Sequence, residues 1–359
     1  MQVSSFTSSS KAGEEAIKIA SPKYGVWRLM RNGMLLLCVI IAFDQVGGRF
    51  LHYMYFKQKT GPNAETTFTF TKMQQDAVIL GSSRGRRNYN PQPIGDSLGI
   101  GCYNAGHDGQ TIFYEEAIIR MVLSRYTPKL VVLDLNPEEM YYKDVHYDRL
   151  NVLAPYYSDY PQVRDIYLLK GNRNPDHDRI AYRLWPVNNE GIKMMSLIYR
   201  NNSAVLDILT GMFKNRKSDS GFKPLKGIIT QQKANELIKE NNNLRDTKGK
   251  IVDINKINGL EEILSTLTSR GAKVYVSMSP ALTPFGMEPS YHSILDVCRK
   301  YNVAFKDYSQ DAAYNHLDYF FDNHMNKDGA NLFSVHLAHD IKQLYPELSN
   351  KQVAVSNTH

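Results

Sequence analysis

Apolar positions in this chain come in blocks. After a start rich in Ser, Lys and Ala over residues 1–22, read as disordered, the run Met34-Leu-Leu-Leu-Cys-Val-Ile-Ile-Ala-Phe43 carries no charge. Asp44 interrupts it, and Phe50-Leu-His-Tyr-Met-Tyr-Phe56 follows. The uncharged run alone is shorter than the roughly 20 residues of a membrane span, but with its flanks it predicts an apolar helix over 25–56. Residues 57–75 contain Gly61-Pro62-Asn63 and predict a connector. Short apolar runs then recur as Ala77-Val-Ile-Leu80, Ile100-Gly-Cys-Tyr-Asn104, Leu130-Val-Val-Leu-Asp-Leu135, Val274-Tyr-Val-Ser-Met278 and Val303-Ala-Phe-Lys-Asp307. Continuous rather than alternating hydrophobicity suits strands covered on both faces. Helical periodicity fills the intervals at 112–125, with Ile118, Met121 and Val122 on one face, and at 257–269 and 291–300. A last helix is predicted over 331–344. Strand, helix, strand at this spacing predicts an α/β domain built on a parallel sheet.

From about 138 to 256 the rhythm changes, and tyrosines, asparagines and basic residues dominate. This stretch is predicted to be an insertion of helices and loops over the functional edge of the sheet, with a helix at 231–240. The predicted organisation is a cytoplasmic tail at 1–24, an anchor helix at 25–56, a connector at 57–75, the α/β domain at 76–345 and a tail at 346–359.

Charge changes this picture at the N-terminus. Lys18, Lys23, Arg28 and Arg31 precede the apolar run, and Trp27 with Tyr53 or Tyr55 would flank it as interfacial aromatics. A signal peptide would fit the basic start, but no small-x-small cleavage site follows. A buried soluble helix would tolerate Asp44 only with a partner. An uncleaved anchor in the inner membrane fits best if Asp44 lies near the outer interface, with the N-terminus inside and the rest extracytoplasmic, in the periplasm. The net charge of +7 on 359 residues comes without aromatic-basic interleaving, so no nucleic-acid partner is expected. Cys38, Cys102 and Cys298 have spacings that suit neither a zinc site nor a disulfide framework. No metal site and no cofactor are expected: the histidines are dispersed, and Gly81-x-x-x-Gly85 lacks the dinucleotide and P-loop spacings.

Candidate chemistry gathers at strand ends. Ser83 follows the first strand through Gly81-Ser82, where open α/β sheets place ligands, and is the candidate nucleophile. Arg84, Arg86 and Arg87 follow and could bind an anionic group, or form an exposed basic first turn. His324 lies in a loop before the last predicted helix. An imidazole of ordinary pKa can accept a serine proton at neutral pH, and Asp322 could hold it in the right tautomer. The pattern alone also fits a surface histidine beside a turn-capping aspartate.

Four blocks in order resemble the SGNH/GDSL hydrolase superfamily. Ile79-Leu-Gly-Ser-Ser83 is similar to its first block, with Gly-Ser-Ser for Gly-Asp-Ser. Tyr103-Asn-Ala-Gly-His-Asp-Gly-Gln-Thr111 is similar to the second, whose glycine matches Gly109. Pro128-Lys-Leu-Val-Val-Leu-Asp-Leu135 resembles the strand leading to the third. His324-Met-Asn-Lys-Asp-Gly-Ala330 resembles the closing block. The resemblance implies a three-layer, flavodoxin-like parallel sheet, with Ser83, His324 and Asp322 catalytic and the backbone of Ser83 and Gly109 forming an oxyanion hole. Asn136 would assist there. Apart from the resemblance, Arg84, Arg87 and Asn104 are the candidate substrate contacts. Two departures stand out. The third block ends Leu135-Asn-Pro-Glu-Glu139 instead of Gly-x-Asn-Asp, and Asp322 lies two residues before the histidine instead of three. Loosened blocks behind an anchor are most similar to extracytoplasmic members that esterify or de-esterify cell-surface polysaccharide, the relatives of alginate-acetylation and teichoic-acid D-alanyl-transfer proteins. The implied function is a serine esterase or O-acyltransferase acting on acyl-sugar esters beside a membrane-bound acyltransferase. The competing reading is an inactive scaffold that binds glycan or such a partner.

Overall fold

A computed structural model describes residues 23–171, 173, 189–202, 205, 220–244 and 248–349. The predicted disorder at 1–22 and most of the C-terminal tail lie outside them. The domain is α/β, with five strands in one all-parallel sheet: β1 (Ala77–Leu80), β2 (Cys102–Asn104), β3 (Leu130–Asp134), β4 (Lys273–Met278) and β5 (Ala304–Asp307). The spatial order is β2-β1-β3-β4-β5. The order reverses between β1 and β3, so a crevice opens there at the carboxyl ends of the strands.

The continuous apolar runs are explained by burial from both sides. Val78, Leu80, Val131, Leu133, Val274 and Val276 face a core shared with α5 (Ile112–Leu123), α6 (Ile254–Ser269) and α7 (Pro289–Lys300). Ala77, Ile79, Leu130, Val132 and Tyr275 face a second core with α4 (Pro91–Leu98) and the last helix, α8 (Lys327–Leu344). Every residue of β1 and β3 is buried.

Two caps set helix starts earlier than periodicity indicated. Asp253 accepts from the Asn255 amide, and Asn326 accepts from the Asp328 and Gly329 amides. Each satisfies amides that the first turn leaves open. The expected connector at 57–75 instead contains a helix, α2 (Pro62–Thr71), which buries Phe70 and stacks it on Tyr114. Pro62 at its first turn is a helix-compatible position; the Gly-Pro-Asn signal marks the start of that helix.

The helix predicted over 25–56 is α1 (Lys23–Phe56). It is long and apolar enough to cross a membrane, and its apolar side chains from Val26 to Val46 are exposed. Asp44 does find a partner. It accepts from Ser196 Oγ at 2.5 Å and from the amides of Leu197 at 2.9 Å and Ile198 at 3.2 Å, capping the short insertion helix Leu197–Asn202. Gly48 makes that docking fit, because a Cβ there would stand 2.2 Å from Leu197 Cβ.

Candidate functional site

The position of Ser83, the candidate nucleophile, is built by β1 and the turn after it. Gly81 has φ 147°, and a Cβ there would come within 3.0 Å of both Asp134 Cβ and Gly85 Cα. Only glycine is comfortable in such a backbone. The chain then enters the short helix α3 (Ser83–Asn88), with Ser82 as its cap residue and Ser83 at its first position.

The histidine comes from the other end of the chain. Phe320 and Met325 form an antiparallel bridge that pinches the loop between them. The Met325 amide donates to Asn88 Oδ1 at 2.9 Å, tying that loop to α3. Within it, His324 Nε2 lies 2.7 Å from Ser83 Oγ. His324 Nδ1 lies 2.7 Å from Asp322 Oδ1, and the same oxygen accepts the His324 backbone amide at 2.8 Å. Serine, imidazole and carboxylate therefore form a continuous hydrogen-bonded line across 241 positions of sequence. Burial pulls the Asp322 carboxyl upward, but the bonds from His324 and the nearby charges of His324 and Arg87 outweigh it and leave the group below its ordinary value.

Ser83 and His324 open on a cleft of about 310 Å³, whose lining also includes Asn136, Glu139, Lys143, Asn241 and Phe285. Asn136 begins the turn after β3; its Oδ1 accepts the Glu138 amide at 3.0 Å, which leaves its NH2 as the donor on that side chain. Glu139 also comes from this turn. Burial pushes its carboxyl up to about 7, against the opposing pull of a hydrogen bond from Ser82. The insertion reaches the rim through Asn241, whose amide donates to Asn323 Oδ1 at 2.9 Å, beside the histidine.

The remaining sequence candidates take other places. Arg84 lines the cleft, but its guanidinium is held by the Ser279 carbonyl, by Ser279 Oγ at 2.9 Å and by the Pro280 carbonyl at 3.2 Å, over the Phe285 ring. It ties α3 to the loop after β4. Arg87 does not line the cleft; it pairs with Asp108 at 2.9 Å and adds its charge near Asp322. Asn104 is 1% exposed, and its side chain is spent on the Gly85 and Tyr89 carbonyls and the Gly106 amide. It holds the loop in place and offers nothing to a substrate. Gly109 is also outside the lining; it sits in a left-handed turn against Arg149.

Sequence reasoning missed Glu139, Lys143, Asn241, Thr283, Phe285 and Asn323 as cleft residues. The position of Glu139 after an apolar strand was a usable signal. The others reach the site from the insertion and from loops with no motif. Among the described residues there is no cluster of three or more metal-ligating side chains. The chain matches no protein-family model and no curated protein.

Proposed function

We propose that this chain is a membrane-anchored serine esterase or O-acyltransferase of the SGNH type, acting on acyl esters of cell-surface polysaccharide. The observation that carries the reading is the pair of 2.7 Å contacts from His324, one to Ser83 Oγ and one to Asp322 Oδ1. Nucleophile, base and orienting carboxylate within hydrogen-bond reach is the arrangement that activates a serine. The strand order β2-β1-β3-β4-β5 agrees with it, because flavodoxin-like three-layer sheets have this order and bind ligands at the β1/β3 switch point.

In this reading Ser83 Oγ attacks the ester carbonyl while His324 Nε2 takes its proton. The resulting imidazolium is stabilised by Asp322. The tetrahedral oxyanion forms beside the Ser83 amide and the Asn136 side chain. Collapse expels the alcohol, which receives the proton from His324. Water or a sugar hydroxyl then attacks the acyl-serine while His324 takes its proton, and His324 passes that proton to Ser83 Oγ as the acyl–oxygen bond breaks. The polar groups of Asn241, Thr283 and Asn323 and the Phe285 ring along the cleft suit a sugar, whose faces combine hydroxyls and C–H surface.

The long apolar α1 supports anchoring. Lys23, Arg28 and Arg31 at its start favour an inside N-terminus, and on that reading the cleft lies outside, on the side where an acyl-supplying membrane partner would meet it. A C-terminal phosphatase fusion reads this orientation; intact but inactive fusion contradicts it. The chemistry is tested by a fluorophosphonate probe. Labelling of the native chain above a Ser83→Ala control is expected, and equal labelling refutes a nucleophilic serine. The second reading, a non-catalytic binding scaffold, is favoured by Gly109 standing outside the cleft lining. It predicts no His324-dependent turnover of p-nitrophenyl acetate.

A further inference from the structure

A second cavity, of about 710 Å³, lies where the end of α1 meets the insertion. Its basic lining comes from both sides. Arg49 projects from the last turns of α1, beside His52, Lys57 follows the end of that helix, and Arg200 comes from the insertion helix docked on it. One carboxylate, Asp159, shares the cavity and is paired with His52 at 3.0 Å. Lys57 stands over the Tyr53 ring at 4.4 Å, and the Arg200 guanidinium is fixed by the Met194 carbonyl and Ser158 Oγ. Among the described residues Arg49 is exposed and has no ion-pair partner. The cavity therefore carries positive charge in excess of its one acid.

Its height along α1 says what that charge would meet. The exposed apolar side chains of α1 run from Val26 to Val46, about 30 Å at 1.5 Å per residue, which matches the thickness of the hydrocarbon layer. Arg49, His52 and Tyr53 follow just beyond that layer, where interfacial aromatics and basic residues gather. Tyr53, which lines the cavity, then stands at headgroup level. The lip is apolar and exposed, with Phe50 on α1 and Ile192 and Met195 on the insertion. Cations at headgroup level above an apolar lip match a phosphate carried on acyl chains.

We infer that this crevice binds the phosphate-bearing headgroup of an anionic membrane lipid. The inference rests on the anchoring part of the proposed function and is independent of the serine chemistry. Arg49 on α1 and Lys57 just past its end contact the phosphate, the fixed Arg200 faces them across the cavity, and the acyl chains run along Phe50 and Met195. A bound lipid would thereby brace the insertion against the anchor on the same elements that Asp44 and Gly48 join.

The full chain in detergent is titrated with short-chain phosphatidylglycerol, short-chain phosphatidylcholine or inorganic phosphate, and native mass spectrometry counts the adducts. Phosphatidylglycerol is expected to be retained at least tenfold better than phosphatidylcholine. The double variant Arg49→Gln, Lys57→Gln is expected to lose this preference by on the order of tenfold, while Lys233→Gln, on a helix of the insertion outside the cavity lining, keeps it. Equal retention of the two lipids, or an unchanged preference in the double variant, overturns the inference. Displacement of phosphatidylglycerol by millimolar inorganic phosphate also overturns it, because a free ion would then suffice. If the double variant melts below the native chain, the exposed single change Arg49→Gln gives the same reading. Carbonate extraction separates the two failures: a chain that stays in the membrane pellet without lipid preference fails this inference alone.

Discussion

Asp322→Asn and Asp322→Ala together resolve how the carboxylate serves His324. Both donors of the histidine, its ring Nδ1 and its backbone amide, converge on a single oxygen, Oδ1, at 2.7 and 2.8 Å. An asparagine can keep its carbonyl oxygen there and turn its NH2 to the outer side, where the residue is partly open to solvent. The tautomer with the proton on Nδ1 then survives, and only the negative charge is lost. At about 4 Å, a unit charge pair is worth about 4 kcal/mol at an effective dielectric of 20 and about 1 kcal/mol in water. Asp322 stands between these limits because its side chain is 41% exposed. The asparagine variant should therefore lose on the order of 10 to 1,000-fold in acylation rate. Alanine removes the charge and the orientation together and should approach the roughly 10,000-fold loss that follows when a triad histidine is held in the wrong tautomer. The assay is the rate of fluorophosphonate labelling near pH 8, with Ser83→Ala as the blank. Asparagine and alanine variants that both label at the native rate would remove Asp322 from the mechanism. An asparagine variant as slow as the alanine variant would refute the single-oxygen argument.

Three further outcomes are expected. Asn136→Ala should lower kcat for p-nitrophenyl acetate by about 100 to 1,000-fold with little change in KM, the signature of a lost oxyanion donor; a change in KM alone would place Asn136 in ground-state binding. Glu139→Gln should flatten the pH dependence of melting. The Glu139 carboxyl is raised in the fold from 4.5 to about 7, so its stabilisation is full below about pH 4.5 and is lost as pH rises through about 7. At pH 8 the glutamine variant should be the more stable by up to on the order of 3 kcal/mol, less to the extent that the cleft admits water, and an unchanged slope in detergent melts between pH 4.5 and 7 would contradict the assignment. Gly81→Ala should destabilise the fold by on the order of 1–3 kcal/mol, the usual cost of a strained backbone. A melting temperature equal to that of the native chain would mean that the turn relaxes freely.

The sequence by itself determined the elements whose logic is local. Ala77-Val-Ile-Leu80 and Leu130-Val-Val-Leu-Asp-Leu135 are apolar at every position but one because both faces of each strand are covered, and that pattern is visible in one dimension. The 3.6-residue periodicity of 112–125 and the length of the apolar helix around Met34 are equally local. Ser83 and His324 could be singled out because each follows or precedes an element in a recognisable way. Helix starts were less visible: Asp253 and Asn326 act through one side-chain bond apiece, and α2 was hidden by a Gly-Pro-Asn signal that fits a loop and a helix start equally well.

Tertiary structure alone decided which of these residues meet. Asn104 and Arg84 carry the same polar groups whether they face a substrate or hold a carbonyl, and the fold spends both on the protein. Glu139 and Asn241 reach the cleft because the chain after β3 and a helix of the insertion converge there, and no spacing encodes that convergence. Asp44, a charge in an apolar helix, gains its partners from residues 152 to 154 positions away. The physical reason is the same in each case: the hydrophobic pattern fixes what is buried, while hydrogen bonds and charges depend on distances of a few ångströms between segments that sequence order does not relate.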